Sequence, residues 1–113
     1  MEKFERFSEY KIMWIFVFFD LPTETAIQRK EAALFRKNLL EDGFTMLQYS
    51  VYIRHTPSRE NMEVHEKRVK KFLPVEGKVT ILHITDKQFG DIHTYQGARR
   101  EPSVQTAVQL ELF

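Results

Sequence analysis

The feature that most constrains this chain is "IMWIFVFFDLP", in which eight consecutive apolar residues, Ile12 to Phe19, run directly into one aspartate, Asp20, and stop at Pro22. A membrane-spanning helix needs about 20 apolar residues, and a signal peptide ends in a small-residue cleavage site, so the run fits neither. It reads as a buried strand. Side chains along a strand alternate, which puts Ile12, Trp14, Phe16, Phe18 and Asp20 on one face and Met13, Ile15, Val17 and Phe19 on the other. Both faces are apolar, so both must be covered.

The rest of the chain supplies candidate covers. Thr25 and Gln28 have the spacing of a capping box, which predicts a helix through "IQRKEAALFRKNLLED" with Ile27, Leu34, Phe35 and Leu39 as its apolar stripe. Gly43 ends it in a left-handed cap. "FTMLQYSVYIRHT", residues 44–56, reads as two strands joined by an abrupt bend near Gln48 to Ser50. Pro57 and Ser58 open a second helix, whose stripe of Met62, His65 or Glu66, Val69, Phe72 and Leu73 runs to Pro74. Gly77 marks a turn, "KVTILHITD" is the last core strand, and "KQFGDIHTYQG" reads as an edge extension.

That order resembles an α+β, ferredoxin-like βαββαβ sandwich over residues 1–95, with an antiparallel sheet and both helices on one of its faces. A tail of residues 96–113 follows. Alternation at Val104, Thr106, Val108, Leu110 and Leu112 predicts a strand there that adds to a sheet edge. With both helices on one side, the face carrying Trp14, Phe16 and Phe18 is expected to be bare, and a homodimer stacking sheet on sheet is its expected cover.

At 113 residues the chain is expected to be one domain. It contains no cysteine, which excludes disulfides, thiolate zinc sites and cysteine catalysis. The cytoplasm is the default location, with no membrane partner. His55, His65, His83 and His93 are scattered without metal-ligand spacing, and there is no Gly-rich phosphate loop or nucleophile elbow.

Two features remain as candidates for chemistry. If a twofold axis passes near the end of the first strand, two copies of Asp20 approach each other, and a hard divalent cation such as Mg²⁺ relieves their repulsion. The structural alternative is that Asp20 accepts hydrogen bonds from turn amides ahead of Pro22. Formal net charge is only +1, so any basic surface must be local. Arg29, Lys30, Arg36 and Lys37 on helix one, with Lys67, Arg68, Lys70 and Lys71 on helix two, offer ridges for phosphate backbones, or else plain solvated faces interleaved with glutamates.

"FVFFDLP", the basic helix, "GFTMLQYSVYIRH" and "KVTILHITDKQFG", taken in order, resemble the CRISPR-associated endoribonuclease family, the smaller adaptation protein of CRISPR systems. "ITDKQFG" is closest to the forms that accompany type II systems. The resemblance spans residues 11–97. It implies a ferredoxin-like homodimer in which Asp20 binds Mg²⁺ and serves a nuclease acting on RNA or DNA. It also implies assembly with the larger CRISPR integrase subunit, where the dimer holds the spacer-precursor double-stranded DNA by its phosphates. Many members carry an arginine where Thr45, Met46 and Leu47 stand here, which leaves Arg54 as the substitute phosphate contact. The competing reading is a ferredoxin-like regulatory or small-molecule-binding module with no nucleic-acid role.

The tail carries a second resemblance. Gln109-Leu110-Glu111-Leu112-Phe113 is similar to the Gln-Leu-x-Leu-Phe peptide by which bacterial replication and repair proteins dock on the sliding clamp. Val108, Leu110, Leu112 and Phe113 are therefore partner-binding candidates, through a sheet edge or through a clamp pocket.

Overall fold

The computed structural model describes residues 12–102. Its elements are β1 (Met13–Asp20), α1 (Ala26–Glu41), β2 (Thr45–Gln48), β3 (Val51–Thr56), α2 (Arg59–Lys71), β4 (Lys78–Thr85), α3 (Asp86–Gly90), β5 (Tyr95–Gln96) and β6 (Arg99–Arg100). Four strands form one antiparallel sheet in the order β2-β3-β1-β4, the ferredoxin-like order, with β1 inside it. The expected tail strand, with Val108, Leu110, Leu112, Phe113 and the clamp-like peptide, lies outside the described residues. β5 and β6 form a small separate hairpin across the expected boundary at residue 96.

Local chemistry sets the element ends. Thr25 caps α1 by accepting a hydrogen bond from the Gln28 amide, while the Gln28 side chain accepts from the Thr25 amide, the reciprocal box its spacing predicts. At the other end Gly43 takes φ +88°, and the amides of Gly43 and Phe44 donate to Leu40 and Leu39. This satisfies carbonyls that a helix end leaves open. Ser58 caps α2 by accepting from the Asn61 amide. At the start of β1, the buried Thr56 hydroxyl donates to the Met13 carbonyl at 2.8 Å.

One sheet face carries the helices. Met13, Ile15, Val17 and Phe19 pack there with Phe35 and Leu39 of α1 and Met62 and Val69 of α2. The stripe of α1 differs from the expectation: Ala32, Phe35 and Leu39 are buried, whereas Ile27 and Leu34 are exposed. A 16-residue helix with mixed apolar positions offers two faces by count alone, and packing selects the one whose small Ala32 permits close approach.

The opposite face corrects two expectations. "KQFG", expected to begin an edge extension, instead completes the helix α3 that opens at Asp86, started by a second capping box between Thr85 and Gln88. Phe89 of α3 is fully buried and stacks on Trp14, ring centroids 3.8 Å apart, and Trp14 Nε1–H donates to Asp86 Oδ1 at 2.7 Å. Trp14 and Phe16, expected to be bare, are only 2% and 5% exposed because α3, Leu47, Ile84 and Ile92 cover them. The cover is incomplete. Phe18 and Leu82 remain 37% and 46% exposed on the part of that face nearer Asp20.

Candidate functional site at the end of the first strand

β1 ends at Asp20, whose register continues the face of Trp14, Phe16 and Phe18, away from the two long helices. A shallow depression of about 340 Å³ lies there, lined by Phe18, Phe19 and Asp20 of β1, Ser50 and Val51 of the β2–β3 bend, and Lys78 and Thr80 of β4. Ser50 has φ +64°, a left-handed conformation that costs a non-glycine residue about 1 kcal/mol. Its carbonyl accepts from the Phe19 amide at 3.1 Å, which ties the strained bend to the end of β1.

Asp20 is exposed, and among the described residues its carboxylate takes part in no hydrogen bond or ion pair. The structural alternative for Asp20, a bond to turn amides, is therefore not what the geometry shows. Directly opposite it on β4 stands Lys78, also exposed and, among the described residues, also without an ion pair. Sequence reasoning passed over Lys78. The only available signal was its place after Gly77 at the start of a strand, and register is invisible until the strands are paired.

The helix cations lie on the other side of the sheet. Lys30, Lys37, Lys67, Lys70 and Lys71 are exposed; Lys37 and Lys70 stand 4.0 Å from Glu41 and Glu66, contacts too loose and solvated to occupy them. Arg29 is engaged otherwise, donating to the carbonyls of Thr23 and Glu24 at 3.1 Å. Arg36 is half-buried. The fold thus separates these residues from Asp20 and brings none of them to the depression.

Arg54 sits within a network rather than on a ridge. Its guanidinium lies over Gly43, where an added Cβ would collide with it. Burial lowers its pKa, Asp42 opposes that shift and Arg68 adds to it. Asp42 in turn accepts from Arg68 Nη1 at 3.0 Å and lies 2.8 Å from His65 Nδ1. These contacts join the end of α1 to α2. His55 packs edge-on to Trp14 at 5.1 Å, beside α3, so no histidine stands at the depression to serve as base. Two exposed arginines that sequence reasoning also missed, Arg99 and Arg100, form β6 of the terminal hairpin.

Among the described residues no group of three His, Cys, Asp or Glu side chains could hold a metal ion, and no helix is long and apolar enough to cross a membrane. A hydrated Mg²⁺ asks for less: it binds through one or two carboxylates and fills its remaining positions with water and phosphate oxygens. The exposed Asp20, lining one depression with Ser50 and Thr80, supplies hard oxygen donors of that kind.

Residues 13–92 match the family described as CRISPR associated protein Cas2. A CRISPR-associated endoribonuclease Cas2 from Flavobacterium psychrophilum is 51% identical over 112 residues, 99% of this chain and 97% of that protein. One from Parvibaculum lavamentivorans is 56% identical over 101 residues, 89% of this chain and the whole of that protein. A third, from Ligilactobacillus salivarius, is 46% identical over 87 residues, covering 77% and 86% of the two chains.

Proposed function

The chain belongs to the Cas2 family of CRISPR-associated proteins, and from that premise we propose that it is the adaptation subunit that holds spacer-precursor duplex DNA as a homodimer between integrase subunits. Its second property is a Mg²⁺-dependent endoribonuclease or nuclease activity centred on Asp20, the activity for which its relatives are named. The observation that carries this reading is the pairing of an exposed Asp20, unengaged among the described residues, with a partly uncovered apolar stretch of sheet at Phe18 and Leu82. A second copy laid on that stretch covers the apolar side chains and brings another Asp20 to the same edge.

Asp20, with Ser50 and Thr80, would hold the Mg²⁺; when bound, the ion polarises a phosphoryl oxygen and acidifies a water. The chain's own residues do the rest. Asp20 supplies the negative charge at the site, the strained Ser50 bend fixes one wall, and the apolar floor at Phe18 and Val51 limits water. One carboxylate per chain and no nearby histidine make a modest hydrolase. Duplex holding needs neither, since it relies on exposed cations and shape.

The test is to purify the dimer with the integrase subunit encoded beside it. Insertion of a short duplex into a repeat array is then measured for the wild type and Asp20→Asn, alongside metal-dependent cleavage of RNA and DNA. Asp20→Asn removes cleavage and preserves insertion. Loss of insertion with an intact dimer and complex would overturn the architectural reading, and sedimentation as a stable monomer would overturn the dimer.

A further inference from the structure

We propose that Lys78 is the phosphate-holding residue of the Asp20 site, its ammonium taking a non-bridging oxygen of the phosphodiester that lies across the depression. The inference deepens the function proposed above and rests on Asp20 being the centre of that site.

Four observations converge on it. Asp20 and Lys78 are cross-strand partners in the antiparallel β1–β4 ladder and therefore project from the same face, with Cβ atoms about 5 Å apart. Both are exposed, and neither has an ion-pair partner among the described residues, so both charges are available to one ligand. The pairing is held by Gly77. At φ +98°, its position is so close to β1 that an added Cβ would lie 2.8 Å from the Asp20 carbonyl oxygen and 2.7 Å from Leu21 Cδ2. Finally, both residues line one depression together with Ser50 and Thr80, residues whose hydroxyls are neutral donors suited to further phosphate oxygens.

Charge explains why the site needs such a residue. A carboxylate alone repels a phosphodiester, and none of the helix lysines lines the depression. Lys78 cancels that repulsion from the neighbouring strand. The same ammonium must also oppose any cation bound at Asp20, so its removal has two effects of opposite sign. A lysine with a purely structural role would not produce that pair of effects.

The experiment compares full-length wild type, Lys78→Met, Lys78→Arg and Asp20→Asn. Binding of a short oligonucleotide is measured in EDTA across a salt series, and binding of Mn²⁺ is measured by water-proton relaxation without nucleic acid. Lys78→Met should weaken the oligonucleotide and reduce the salt slope by about one counterion per site. It should tighten Mn²⁺ by about three- to tenfold, the effect of deleting one nearby like charge in a solvated setting. Lys78→Arg should restore the oligonucleotide affinity. Unchanged oligonucleotide binding in Lys78→Met, or no rescue by arginine, overturns the proposal, as does weakening of both ligands together. If wild type and Asp20→Asn bind Mn²⁺ equally, it is the metal reading of Asp20 that fails; the oligonucleotide arm in EDTA then decides Lys78 by itself.

Discussion

Gly77 sets how closely the end of β1 and the start of β4 approach. A side chain there meets a left-handed backbone and the Asp20 carbonyl together. The conformational term alone is about 1–2 kcal/mol, and the backbone contact cannot relax as a side chain would. Gly77→Ala is therefore expected to cost about 2–3 kcal/mol, read as a lower urea midpoint at unchanged slope. Gly97 is the comparison, since it has φ +62° but nothing within 4 Å of an added Cβ; an equal loss at Gly97 would remove the role given to the Asp20 carbonyl. His55 supports a second prediction at this scale. Burial lowers its pKa below the ordinary 6.5, Asp86 of α3 opposes that shift, and Arg54 adds to it. With the folded value depressed, the unfolded chain binds more protons, so this contribution is complete above 6.5 and lost as pH falls through 6.5 toward the folded value. Urea midpoints taken from about pH 8 down to about pH 5 should fall less steeply in His55→Gln than in the wild type. A steeper fall would reverse the sign.

Among the elements, α3 has the largest effect for its size. Five residues long, it buries Phe89 completely against Trp14 and Phe16 and so helps to cover the Trp14 end of a sheet face. Phe89→Ala should cost about 3–5 kcal/mol, the range for an aromatic removed from a closed core. Because Trp14 is the chain's only tryptophan, its emission should also shift to the red as water reaches the indole. Unchanged emission would mean that other residues cover Trp14. The same element shows what could be read from the sequence. Thr85 and Gln88 have the spacing of Thr25 and Gln28, yet the pair at Thr85 follows a strand and opens only five residues, too few for a periodic stripe to reveal. The long elements were legible because their patterns repeat: the apolar run of β1, the bend before Ser50, the caps of α1 and α2. Asp20 stood out as the charge that ends an apolar run. Lys78 did not, because its importance lies in register with a strand far away in the chain. Ile27 and Leu34 misled because an apolar count does not say which flank of a helix meets the sheet.

For the molecule as a whole, formal net charge is only +1, so long-range attraction to a polyanion is weak and the proposed duplex binding must arise from local clusters. Two are available: the exposed lysines of the helix layer, with Lys30 and Lys37 one heptad apart on α1, and the Arg99–Arg100 pair of the terminal hairpin. On the hairpin Tyr95 and Gln96 stand directly opposite Arg100 and Arg99, but the charges that both clusters supply are cations, whose interactions with a duplex are first with its phosphates. Such interactions release counterions and are indifferent to sequence. The double reversals Lys30→Glu with Lys37→Glu, and Arg99→Glu with Arg100→Glu, should each weaken every duplex of a given length by the same factor. Each should also lower the slope of log affinity against log salt by about 0.9 for every phosphate that is no longer neutralised. A homodimer doubles each reduction, which makes the slope the more sensitive readout. Fluorescence anisotropy with two duplexes of equal length and unrelated sequence, over a salt series, decides the matter. Discrimination between the two duplexes by the wild type, or an unaltered slope in both double variants, would place the duplex on some other surface.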